Sequence, residues 1–251
     1  MQGTTALDAL TPTQIKGYIL TLRGMGLSIY TVNSDLRTIK AWMRFCVAEG
    51  LLDKSPFENV TFPKLPKLQK PALTVQQVKS LLDAADGRAK TIILILIDSG
   101  LRATELCMLN GGDIDLSTGV VTVRQGKGSK DRVSFLGNKA RRQLIRFWRE
   151  HGKPGDKEPA FAGAKTGARL TRSGLRQLLG RVGKAAGVKH CNPHALRRTA
   201  ATWAWQNGMD LRSIQTMLGH ASIATTQIYL DVDTESVRRQ HERHGPVDAN
   251  L

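Results

Sequence analysis

The sequence predicts a mainly α-helical protein with one small antiparallel β-sheet, arranged in two domains. Three observations predict it. Apolar residues recur at helical spacing through most of the 251 residues, and helix-capping residues precede nearly every such run. The period turns strand-like at one place only, around residues 120–135.

The elements follow in order. Thr11-Pro12-Thr13-Gln14 opens a first helix with a capping hydroxyl, a proline at the first helical position and a glutamine able to reach back to the cap amide. Gly24 and Gly26 end it. Ser28 opens a second, in which Val32, Leu36, Ile39, Met43 and Val47 repeat at helical spacing until Gly50. Thr61–Ala72, TFPKLPKLQKPA, holds three prolines and three lysines without an apolar period. Proline lacks an N–H and disfavours helix before it, so this stretch reads as an extended linker. The expected organisation is a helical domain over residues 1–62, a linker over 63–72 and a second domain over 73–251.

Thr74-Val75-Gln76-Gln77 is a second capping box, and helices continue to Asp98, closed by Gly100. Val120–Val123 and Arg132–Phe135 are short β-type runs around a glycine-containing turn, Gln125–Lys130. Helices are expected again over Asn138–Glu150, over Thr171–Ala186, and from the cap Asn192 with Pro193 at the first position to near Gly208. Asp210 and Ser222 cap two short ones, and Thr234 starts a last one running to His244.

Composition narrows the function. Lys and Arg total 37 against 21 Asp and Glu, and the excess is uneven. Between Arg124 and Lys189 stand 18 basic and 4 acidic residues, a surplus of 14 in about a quarter of the chain. One-signed charge so concentrated favours a polyanionic partner, with nucleic acid first, over a merely solvated surface. The longest apolar run, Ile92–Ile97, is far short of the ~20 residues of a membrane span, and the start lacks the pattern of a secretion signal. Cys46, Cys107 and Cys191 are odd in number and have no metal-ligand spacing, which reads as reduced thiols in a cytoplasmic protein.

Cutting a DNA phosphodiester without a metal requires fixed cations facing the non-bridging oxygens. Arginine suits this, being always protonated and able to donate two bonds at once. Arg102 follows a helix-ending glycine and precedes Glu105, beside a new helix N-terminus. His194 and Arg197 are three apart in the first turn of their helix and share a face. His220 follows Gly219, and Lys127 lies in the turn between the strands, where it could protonate a leaving oxygen. Several also have a plain reading, a capping Arg102 or His194 and an ordinary hairpin turn, and Tyr229, a candidate nucleophile, could be a half-buried core tyrosine.

The joint order decides between these readings. Ser99–Leu106 (SGLRATEL), Gly126–Arg132 (GKGSKDR), His194–Thr199 (HALRRT), Met217–His220 (MLGH) and Thr225–Tyr229 (TTQIY) resemble, in sequence, the tyrosine recombinase (phage integrase) family, most closely its Xer-like branch. The resemblance runs from about Thr11 to the C-terminus. It implies a catalytic set of Arg102, Lys127, His194, Arg197, His220 and the nucleophile Tyr229, with neither cofactor nor metal. It also implies a C-shaped two-domain clamp, with four protomers on two DNA duplexes carrying specific sites, either as a homo-tetramer or with a related recombinase. Residues 234–244 would dock into a neighbouring protomer or pack in cis. Arg198 and Trp203 stand where the family often has His, Asp98 where Thr is frequent, and the N-terminal block is one helix shorter than usual. Two competing readings are a type IB topoisomerase and a non-catalytic DNA-binding regulator of the same fold.

Overall fold

A computed structural model describes residues 10–66, 71–124, 131–163 and 167–219. The chain divides into two compact units, Met1–Leu68 and Gln69–Leu251. The expected turn 125–130 and the helices expected after Ser222 and Thr234 lie outside the described residues.

In the first unit, α1 (Pro12–Gly24) and α2 (Ile29–Ala48) start where their caps predict. Thr11 Oγ1 accepts the Gln14 N–H at 3.3 Å while Gln14 Oε1 accepts the Thr11 N–H at 2.8 Å, satisfying donors that a helix start otherwise leaves open. Val32, Leu36 and Met43 are fully buried with Ile15, Ile19, Leu22 and Phe57, and Ile39 and Val47 pack at the margin. The chain beyond Phe62 is pinned by side-chain bonds: Asn33 Nδ2 donates to the Pro63 carbonyl at 3.0 Å and Tyr30 Oη to that of Pro66 at 2.7 Å.

The second unit is built around a buried helix. It contains α3 (Val75–Ala84), α4 (Gly87–Ser99), α5 (Ala103–Met108), β1 (Val120–Val123), β2 (Arg132–Phe135), α6 (Asn138–His151), α7 (Arg172–Ala185), α8 (Pro193–Gln206) and α9 (Leu211–Leu218). The strands pair antiparallel, with Val120 opposite Phe135 and Val123 opposite Arg132. In α4, Ile92, Ile93, Ile95 and Leu96 are fully buried, each worth roughly 1.5–3 kcal/mol relative to exposure. Helix α4 packs against α6 and α8, whose apolar stripes (Ala140, Leu144, Phe147 and Trp148; Ala195, Leu196) close the core. Its buried hydroxyls bond back along the helix, Thr91 Oγ1 to the Gly87 carbonyl and Ser99 Oγ to that of Ile95. Ser134 Oγ on β2 donates to the Ser99 carbonyl at 2.7 Å, tying the sheet to the end of α4.

Candidate active site

Three elements converge on one buried carboxylate. Gly100 closes α4 in the left-handed region (φ 61°), and a Cβ there would lie 2.5 Å from Leu218 Cδ2, so both the turn and the approach of α9 require glycine. The chain then turns through Arg102, which caps α5. Its backbone N–H donates to Glu105 Oε2 at 2.7 Å and its Nη1 to Glu105 Oε1 at 2.6 Å. Arg132, the first residue of β2, donates Nη2 to Glu105 Oε2 at 2.7 Å. Arg197 on α8 places Nη1 at 4.0 Å from the same oxygen and donates to the Gly100 carbonyl.

The three guanidinium groups also take up the end of α9. Arg132 donates to the carbonyl of Met217, Arg197 to that of Leu218 at 2.6 Å and Arg102 to that of Gly219 at 2.7 Å. The last carbonyls of a helix have no partner within it and form its negative end, so cations stabilise them twice over. Gly219 is left-handed (φ 65°), and a Cβ there would meet Arg132 Cδ at 2.5 Å.

Electrostatics keep this cluster ionised. Burial pushes the Glu105 carboxyl up, but the Arg102 amide and the Arg132 and Arg102 guanidiniums outweigh it and hold the group below its ordinary value of 4.5. Burial lowers the Arg132 guanidinium from its ordinary value, with Glu105 opposing that shift, and arginine remains a cation throughout. Three cations around one carboxylate leave a surplus of two positive charges. The Glu105 and Arg197 side chains are only 5% exposed, whereas Arg102 is 26% exposed and gives the cluster a face to solvent. Surplus positive charge with one solvent-facing guanidinium favours an anion at this corner.

Of the expected set, Arg102 and Arg197 are brought together here. His194 is exposed in the first turn of α8, on the same helix as Arg197. Lys127, His220 and Tyr229 lie outside the described residues. Sequence reasoning missed two members. Glu105 carried a signal, standing three residues after Arg102 at the start of a helix. Arg132 ends the Gly126–Arg132 motif, but no local pattern shows its partners, which lie 27 and 85 residues away.

The family departures have local structural uses. Asp98 Oδ2 accepts the N–H of Gly137, the cap of α6, at 2.5 Å. Arg198 Nε donates to the Pro71 carbonyl at 3.1 Å, and Trp203 packs half-buried against the core. Several basic residues of the positive segment are likewise structural: Arg124 pairs with Asp113, Arg141 donates to the Ser117 carbonyl, and Arg169 holds Cys107, Leu109 and Asn110. Others are exposed: Lys139, Arg142, Arg146 and Arg149 on α6 and Arg172, Arg176, Arg181 and Lys184 on α7. Burial pushes the Cys107 and Cys191 thiols up to about 11, which disfavours a nucleophilic role for these two at neutral pH.

Fold and site together define a helical domain with an arginine pair, braced by a buried glutamate, at a positively charged corner. The chain belongs to the phage integrase family, whose profile matches residues 71–236, and within it to the Xer-like tyrosine recombinases. Tyrosine recombinase XerC of Bacillus pumilus is 32% identical over 98% of this chain and 85% of its own length. The crystal structure of XerA recombinase superimposes with a TM-score of 0.62 at 31% identity, covering 96% of this chain and 85% of that one. The Tn1549 transposon integrase, solved in complex with transposon right end DNA, gives 0.75 at 25% identity, covering 95% and 86%.

Proposed function

We propose that this chain is a site-specific recombinase that cuts and rejoins double-stranded DNA through a phosphotyrosyl intermediate. The observation that carries the proposal is the convergence of Arg102 and Arg197 around buried Glu105, a corner of surplus positive charge that suits a phosphodiester. In the reaction, Tyr229 Oη attacks phosphorus, the bond to the 5′ oxygen breaks, and the 3′ phosphate stays on the tyrosine. The 5′ oxygen takes a proton from Lys127, His194 assists proton removal from the tyrosine, and His220 hydrogen-bonds the phosphate. A phenol of pKa ≈ 10 attacks poorly by itself, so the cationic pocket must stabilise both the phenolate and the charge on phosphorus. Each well-placed donor supplies roughly 3–4 kcal/mol of transition-state stabilisation. Reversal by a 5′ hydroxyl of another strand conserves the bond energy and completes the exchange through a Holliday junction.

Domains 1–62 and 73–251, joined by 63–72, would grip the duplex in the cytoplasm. Four protomers on two duplexes, alike or with a related recombinase, would be linked by residues 234–244. The test is covalent capture. A pool of nicked duplexes with random sequence is incubated with the protein, and adducts that survive denaturation are recovered and sequenced. A recurrent site and an adduct abolished by Tyr229→Phe, with duplex binding intact, are expected. No adduct from any duplex would leave a non-catalytic DNA-binding protein, and an adduct surviving in Y229F would displace the nucleophile.

A further inference from the structure

We propose that Arg132 is a positioning residue for strand cleavage, bridging the Glu105 carboxylate to the Met217 carbonyl so that the end of α9 is held in register with the arginine pair. The inference rests on the strand-cleavage reading above and adds to it a residue outside the expected catalytic set.

The geometry points there from four directions. The two Nη atoms of Arg132 serve different elements, α5 through Glu105 and α9 through Met217, so one planar group fixes their spacing. Helix α9 has eight residues and buries only Ile214 and Leu218. Its end is therefore set largely by the guanidinium bonds to Met217, Leu218 and Gly219, and His220 is the next residue. Gly219 leaves no room for a Cβ beside Arg132, so the residue that closes α9 packs directly against this side chain. Finally, the arrangement is costly for a purely structural bridge. Arg132 Nε is buried without a hydrogen-bond partner among the described residues, and Arg102 adds like-charge repulsion beside it. A neutral amide could satisfy a carbonyl there at less cost. A third cation at this point earns its place by keeping Glu105 ionised and the other two arginines aimed. Among the described residues, the charged groups facing Glu105 are Arg102 at the start of α5, Arg132 from β2 and Arg197 from α8.

The experiment uses the full chain and the nicked duplex recovered by covalent capture. Arg132→Met and Arg132→Lys are compared with wild type for adduct formation at saturating duplex, and for duplex affinity in a Tyr229→Phe background. Each is repeated with Glu105→Gln, and amide hydrogen exchange is followed along α9. A displacement of about 1 Å can cost on the order of 100-fold in rate, so Arg132→Met is expected to slow cleavage by roughly 10- to 100-fold. Affinity should stay near wild type, and exchange at the end of α9 should rise. Arg132→Lys keeps the charge but not the fork, and should stay slow. In the Glu105→Gln background the Arg132→Met effect should shrink, because the two act through one bridge. Wild-type cleavage by Arg132→Met or Arg132→Lys, a parallel loss of affinity and rate, or full additivity with Glu105→Gln would each overturn the proposal. An adduct from wild type keeps the strand-cleavage reading standing whichever way these variants fall.

Discussion

At the scale of the residue, the clearest consequences come from Glu105 and Arg197. Glu105 is depressed below its ordinary 4.5, so its ionised form favours the folded state. That contribution is fully present above the unfolded value and is lost as pH falls through the folded one. Glu105→Gln should therefore lower the melting temperature at about pH 7, and the difference from wild type should close as the buffer is taken below the ordinary glutamate range. Thermal melts across pH measure this, and a gap constant with pH would contradict it. Arg197→Ala should do two things. It strands the Gly100 and Leu218 carbonyls, costing about 1–3 kcal/mol in denaturant unfolding, and it should slow adduct formation by roughly 100- to 1,000-fold. In the sequence, the pairing of Arg102 with Glu105 was missed, although it was legible in their spacing of three residues at a helix start. The junction of Arg197 with Gly100, 97 residues apart, was not legible there.

At the scale of the element, glycines separate turns from incidental flexibility. Gly100→Ala forces a side chain into the left-handed region and against Leu218, which should cost about 2–4 kcal/mol. Gly180, inside α7, faces open space, so Gly180→Ala should instead stabilise by about 0.5–1 kcal/mol. Paired denaturant titrations of the two variants give the comparison directly. Element starts were readable because a cap is a local device: Thr11, Ser28, Thr74, Thr171, Asn192 and Asp210 each accept an N–H from the first turn that follows. The paired strands Val120–Val123 and Arg132–Phe135 were likewise marked by a change of period. The split of 74–98 into α3 and α4 needed the structure, where Asp86 caps the second helix by accepting the Ala89 N–H at 2.7 Å.

At the scale of the whole molecule, the positive charge sorts into two populations. Arg124, Arg132, Arg141 and Arg169 are engaged with the protein's own oxygens, while the other basic residues named on α6 and α7 are exposed to solvent. Duplex affinity should fall linearly on a logarithmic salt scale, and Arg172→Gln or Arg176→Gln should flatten the slope by about 1 for each phosphate contact removed. Neutralising Arg169 should instead reduce stability, through the carbonyls it holds. Binding isotherms over a salt series, with melts in parallel, test this division. By itself the sequence determined the helical class, the paired strands, the order of the family motifs and the surplus of positive charge, because caps, periodicity and composition act between neighbours or over the chain as a whole. Only the tertiary structure decided which arginines are committed to the fold, that Glu105 is their common partner and that Arg132 reaches the end of α9. Those facts depend on buried contacts between residues distant along the chain, which no local pattern encodes.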